Sequence, residues 1–234
     1  MFPEGFTRRE MAERITKVDG IAFREKRVRP RLSSTAYLAA TASSPLPGVF
    51  AGDHKRRSLE GFLFPATYDF LRKTRSKQLV AAQLAAFRRA WKGVDMRYAH
   101  SKNLTPFDVL IIASMVEKEA IAPDERPKIA AVIYNRLHAR MPLGIDATIR
   151  YALDVPGTKP LLATELANPT PYNTRLHKGL PPGPIANPGL ASIQAAAHPA
   201  RVGYLYFVRK PDKVHHFFTS SFAAFQAYAS SHGF

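Results

Sequence analysis

Two glutamates separated by one lysine, Glu117 and Glu119, close the apolar run IIASMVEKEA, residues 111–120. A carboxyl held among apolar side chains loses the hydration of its charged form. Its pKa rises, and it can then deliver a proton near neutral pH. On a helix advancing about 100° per residue, Val109, Ile112 and Val116 share one side, Leu110 and Ala113 another, Ile111 and Met115 a third. Glu119 then projects near Ile112 and Met115, and Glu117 near Leu110 and Ala113. The helix is apolar nearly all round, which places it centrally. Periodicity leaves open which acid is buried. It also leaves open the commoner fate of helix-end acids, a solvated last turn paired with Lys118 or Arg126.

A second group of chemistry-bearing residues lies in PYNTR, residues 171–175. Tyr172 offers a ring face and a hydroxyl, Asn173 two donors and an acceptor, and Thr174 a hydroxyl. That set suits a sugar, and it equally suits a turn in which Asn173 bonds its own backbone. The following GLPPGPIANPG alternates residues that restrict φ with residues that free it. It reads as a fixed cleft wall or as a structural crossing loop. His215 and His216 sit on a candidate strand and face opposite sides. No ligand spacing accompanies them, so no metal site is expected. The chain has no cysteine, which excludes disulfides, thiolate catalysis and cysteine–zinc sites. It carries neither a phosphate-binding Walker loop nor a dinucleotide fingerprint.

The elements that must position these groups are legible in outline. Thr7 and Glu10 form a capping box ahead of a Met11, Ile15, Val18 stripe. A weak, alanine-rich helix is expected over 34–43, short extended pieces in LEGFLFPATYDF, and a longer helix over 76–92. Thr105, with Pro106 and Asp108, caps the helix holding the two glutamates. Asp124 is expected to cap the next helix, where Ile129, Val132, Ile133 and Leu137 share a face. Residues 161–189 are irregular and proline-rich, and tyrosine and aliphatic side chains there are suited to pinning a functional loop. A short helix at LASIQAAAH, a hairpin from GYLYFVRK and VHHFFTS, and a helix from near Ser220 complete the chain. The expectation is an α+β fold with a boundary near residue 100.

The 234 residues carry a formal net charge of +16 and are 46% hydrophobic. The size suffices for one or two domains with real cores. The charge points to an anionic partner: nucleic acid, anionic lipid or an acidic wall polymer. Basic clusters at 54–57, 72–77 and 87–92 carry interleaved aromatics, yet no nucleic-acid-binding motif accompanies them. No run reaches the ~18 apolar residues of a membrane span, and no signal peptide is evident, so this chain reads as soluble.

The ordered set ASMVEKEA, DERPKIAAVIYNRL, PYNTR…GLPPGPIANPG, ASIQAAAHPA and YLYFV resembles the YceG/MltG family of endolytic murein transglycosylases. The early PEG and LEGFLFPATY resemble that family's LysM-like portion. The resemblance covers nearly the whole chain. It implies a partial LysM-like and linking part at 1–100 and a mixed helix and hairpin catalytic part at 101–234. It also implies lytic cleavage of peptidoglycan between N-acetylmuramic acid and N-acetylglucosamine, leaving 1,6-anhydro-muramyl ends, without metal or cofactor. The family's catalytic acid matches Glu119. Tyr172, Asn173, Thr174, Asn135, Asp146, Thr148 and His216 match positions that hold glycan or shape the cleft, and nothing in the sequence promotes Asp146 or Glu165 to an auxiliary acid. The implied partners are peptidoglycan strands and wall-synthesis proteins, with no nucleic acid. Family members work on the extracytoplasmic face of the bacterial membrane through an anchor absent here. Two departures bear on substrate contacts: Arg175 stands where many members have Tyr, and Ala120 where many have Thr. The rival readings are a wall-binding module with no activity and a nucleic-acid-binding protein.

Overall fold

The computed structural model describes residues 1–233 apart from 43, 54 and 55. The end of the helix expected over 34–43, and the first two residues of the basic cluster at 54–57, lie outside the described residues. The architecture is α+β, with ten helices and two small two-stranded sheets among the described residues. The chain forms two compact units: residues 1–94 with 185–190, and residues 95–184 with 191–234.

The first unit contains α1 (Arg8–Lys26), α2 (Ser34–Ala42), the two-residue pair β1 (Ser44–Pro45) and β2 (Arg56–Arg57), and α3 (Ser76–Trp91). The Thr7 hydroxyl accepts from the Glu10 N–H, and the Glu10 carboxylate accepts from the Thr7 N–H. This closes the capping box read in the sequence. Met11, Ile15 and Val18 are buried as their spacing requires. Phe50, Phe62, Phe87 and Trp91 build an aromatic cluster in the same unit, with ring centroids 4.7–5.7 Å apart. Such pairs add roughly 0.5–1.5 kcal/mol each beyond their burial.

Asn187 is fully buried in this unit. Its Nδ2 donates to the Phe6 carbonyl and to Glu60 Oε1, and its Oδ1 accepts from the Leu63 N–H. The Glu60 carboxylate also accepts from the Arg8 N–H at the start of α1, where free amides and the helix dipole favour negative charge. The ANPG end of the proline-rich segment is therefore a structural crossing, the second of its two sequence readings.

The second unit contains α4 (Arg97–Ser101), α5 (Pro106–Glu119), α6 (Arg126–His138), α7 (Asp146–Leu153), α8 (Ala163–Leu166), α9 (Leu190–Ala197), β3 (Tyr206–Arg209), β4 (His216–Thr219) and α10 (Phe222–Ser231). Thr105 and Asp108 close the capping box of α5 around Pro106. Every residue from Val109 to Val116 is buried, so α5 is the central helix its composition predicts. Each large aliphatic side chain buried there stabilises by about 1.5–3 kcal/mol relative to exposure. Strands β3 and β4 pair antiparallel, with Val208 opposite Phe217 and Arg209 opposite His216.

One expectation fails at α6. Asp124 does not cap it; residues 123–125 form a 3-10 turn and the helix begins at Arg126. Pro127 suits the first turn of a helix, and Glu125 in the flanking position turns its carboxylate toward the hairpin instead of capping.

Candidate active site

Glu119 ends α5 and, like Glu117, is half-buried. Burial pushes its carboxyl up from an ordinary 4.5 to about 7. That value already includes an upward contribution from Asp146 and the opposing charges of Arg209, Arg150 and Lys118. The carbonyl end of α5 also disfavours negative charge at this position. No hydrogen bond or ion pair holds the Glu119 carboxyl among the described residues. A carboxyl poised near neutrality, with its oxygens uncommitted, is suited to giving a proton and taking one back.

Two elements bring charge to Glu119, α7 and β3. Asp146 is the first residue of α7 and pairs with Arg175 Nε at 2.7 Å. Arg150, one turn along α7, donates to the carbonyls of Pro156 and Lys159 at 2.9 and 2.7 Å. Arg209 ends β3 and is exposed. Its charge acts on Glu119, and no hydrogen bond fixes its guanidinium among the described residues.

Several residues singled out in the sequence bond to the protein and set this geometry. Thr174 Oγ1 accepts from the Ile145 N–H at 2.9 Å and meets Thr148 Oγ1 at 3.1 Å. The two buried hydroxyls thus tie the loop at 172–175 to the start of α7, which delivers Arg175 to Asp146. Asn173 Nδ2 donates to the carbonyls of Leu166 and Asn168, and its Oδ1 accepts from the Arg175 N–H. That is the turn-forming reading of Asn173. Asn135 Nδ2 donates to the carbonyls of Val202 and Tyr204, fixing the approach to β3. Tyr172 is half-buried, its ring 5.2 Å from that of Tyr151.

His216 is also internal. Its backbone N–H donates to Glu125 Oε1 at 2.9 Å, and its Nδ1 lies 2.6 Å from Glu125 Oε2. Glu117 is half-buried and Lys118 exposed. Glu165 caps α8 by accepting from the Leu162 N–H. No group of three or more acids or histidines that could hold a metal occurs among the described residues.

Sequence reasoning missed Glu125, Arg136 and Arg209. Arg136 donates to the carbonyls of Leu205 and Leu143, both at 2.6 Å, and lies over the Tyr206 ring. Burial lowers its pKa. Gly144, at φ +62°, leaves room for it: a Cβ there would stand 3.2 Å from Arg136 Nη1. The near-neighbour GID was the available signal, since a glycine ahead of a helix start marks a close backbone approach.

Comparison with known proteins identifies the family. The family model described as YceG-like matches residues 1–231. The chain belongs to the YceG-like family. It is 36% identical over 227 residues to an endolytic murein transglycosylase of Streptococcus pneumoniae strain ATCC BAA-255 / R6, a match covering 88% of this chain and 39% of that protein. It is 37% identical over 155 residues to one of Bacillus subtilis strain 168, covering 66% of this chain and 43% of that protein. The chain therefore spans about two fifths of the length of these curated relatives. A crystal structure of a yceG-like protein from Listeria monocytogenes superposes with a TM-score of 0.76 at 27% identity. That superposition covers 97% of this chain and 74% of the other. No helix of this YceG-like chain is long and apolar enough to cross a membrane among the described residues.

Proposed function

We propose that this YceG-like protein is a lytic transglycosylase that cuts peptidoglycan strands internally, with Glu119 as its acid and base. The observation that carries the reading is the uncommitted, shielded Glu119 carboxyl with its pKa near 7. The names of the pneumococcal and Bacillus relatives support the substrate class. Residues 1–100 are assigned to the LysM-like part and 101–234 to catalysis, acting outside the cytoplasmic membrane.

Protonated Glu119 donates to the oxygen linking muramyl C1 to N-acetylglucosamine. The C1–O bond breaks and positive charge develops on the muramyl ring. The 6-hydroxyl of the same sugar attacks C1, and the Glu119 carboxylate takes the hydroxyl proton. No water is consumed and the acid is regenerated. Because the nucleophile belongs to the substrate, its attack is intramolecular, and no second carboxylate is needed to activate water. Burial keeps Glu119 protonated, and the charge of Asp146 adds to that effect. Asn173, Thr174, Thr148, Asn135 and His216 hold the surrounding frame, and Tyr172 offers a ring to the glycan.

The test is digestion of purified peptidoglycan, with products read by mass spectrometry. Anhydro-muramyl ends that disappear in Glu119→Gln and persist in Glu117→Gln support the reading. Reducing ends would replace it with hydrolysis, Asp146 being the first candidate for the second carboxylate. Glycan binding without product from the unmodified protein would leave a wall-binding module.

A further inference from the structure

Two basic loops far apart in sequence are joined into one surface of the first unit. The Arg31 N–H donates to the Thr74 carbonyl at 2.8 Å, and Arg31 bridges Arg75 in parallel register. The Ser33 N–H donates to Ser76 Oγ, which donates back to the Ser33 carbonyl. Lys26 Nζ meets Asp69 Oδ1 at 2.8 Å. Segments 23–33 and 69–77 together carry nine cations against two acids, Glu25 and Asp69. All nine cations are exposed, and among the described residues Lys26 alone of them is paired with an acid.

An apolar apex stands within this charge. Leu71 is 74% exposed, more than any other large hydrophobic side chain described. It is held there by a closed turn: its N–H donates to Thr74 Oγ1, and its carbonyl accepts from the Thr74 N–H. Arg72 and Lys73 follow it directly. Across the joined loops, the exposed Phe23 ring lies under Arg29 at 4.4 Å and Arg27 at 5.5 Å. An open groove of about 330 Å³, lined by Tyr68, Phe70, Leu71, Leu79 and Ala82 among others, runs beside the turn.

A dissolved polyanion would use these charges and gain nothing from Leu71. A bilayer surface uses both, because phosphate headgroups attract the cations while the layer beneath accepts an apolar side chain. We propose that the joined loops form a peripheral docking surface for a bilayer containing anionic phospholipid, with Leu71 entering the headgroup layer. This does not depend on the reaction assigned to Glu119.

The test is co-sedimentation of the full chain with vesicles of phosphatidylglycerol mixed into phosphatidylcholine, and with phosphatidylcholine vesicles alone. The net charge makes some non-specific attraction certain, so location is read by comparing variants. The expected result is binding to the mixed vesicles only. It weakens several-fold in Leu71→Ser, and about tenfold or more in the triple variant Arg72→Ser, Lys73→Ser, Arg75→Ser. A control triple in the second unit, Lys159→Ser, Lys178→Ser, Arg201→Ser, removes equal charge and should retain most of the binding. Circular dichroism checks that each variant is folded. Equal loss in the control would overturn the location. Undiminished binding in Leu71→Ser would make the surface a site for dissolved polyanions. Absence of binding to the mixed vesicles would end the proposal.

Discussion

Glu125 receives His216 twice, from the backbone N–H at 2.9 Å and at Nδ1 at 2.6 Å, with both side chains at most 4% exposed. One residue precedes α6 and the other begins β4, so this pair ties the hairpin to the helical layer. Arg209, one of the charges acting on Glu119, lies directly opposite His216 in the hairpin register. The anchor of the hairpin and the setting of the acid are thus one cross-strand step apart.

Replacing Glu125 with alanine leaves the His216 N–H and ring without their acceptor. The expected cost is about 3 kcal/mol of stability, measured by urea denaturation. In the Glu125→Leu, His216→Phe double variant the loss should be smaller than the sum of the two single losses, since neither side chain is left as an unpaired polar group and only the residue 216 N–H lacks its acceptor. Strict additivity would mean that the two residues do not act as a pair.

Activity should decline on the alkaline side with an apparent pKa of about 7, because the resting enzyme must carry the Glu119 proton. Glu119→Gln should lower kcat by about 10²–10⁴. A rate that stays flat well above neutrality would remove Glu119 as the acid.

The position of that alkaline limb should follow the neighbouring charges. Asp146→Asn removes a carboxylate that raises the Glu119 pKa, so the limb should move to lower pH. Arg209→Gln removes a cation that lowers it, so the limb should move to higher pH. Opposite movements are the signature; a shift of both in one direction would show that the variants act by distorting the site. The exposed Asp146–Arg175 pair itself contributes only about 0–1 kcal/mol, so folding should survive.

The same group should appear in the stability of the protein. The folded carboxyl binds its proton more tightly than the unfolded one, so stability is highest below about 4.5 and is lost as pH rises toward and through about 7. Glu119→Gln, uncharged throughout, should lack this loss. Above neutrality it should exceed the unmodified protein by up to about 3 kcal/mol. Thermal unfolding at several pH values gives the comparison, and parallel curves would contradict the burial of Glu119.

In the first unit, Asn187→Ala removes three hydrogen bonds to Phe6, Glu60 and Leu63. The expected loss is about 2–4 kcal/mol. Asn187→Asp should cost more, because it sets a second buried carboxylate against Glu60. An Asp variant melting with the unmodified protein would show that Asn187 is not the tie described.

The amino-acid sequence by itself determined the local elements. Capping boxes at Thr7 and Thr105, the buried stripe of α1, the all-round apolar α5 and the β3–β4 hairpin depend on contacts within a few residues, and those contacts are written in residue type and spacing. The ordered motifs were likewise enough to indicate the family. Only the tertiary structure decided what each polar residue meets. It separated Glu119 from Glu117: helical periodicity gave both apolar neighbours and both are part-buried, but it is the Glu119 carboxyl that packing desolvates and sets in the field of Arg209 and Asp146. It turned Glu125 from a plain helix-start acid into the partner of His216, 91 positions away. It bound Asn173, Thr174 and Thr148 to the protein's own backbone and hydroxyls, and it drew residues 185–190 into the first unit through Asn187. Partners distant in the chain leave no periodic signal, and desolvation is a property of the assembled surroundings, not of the residue.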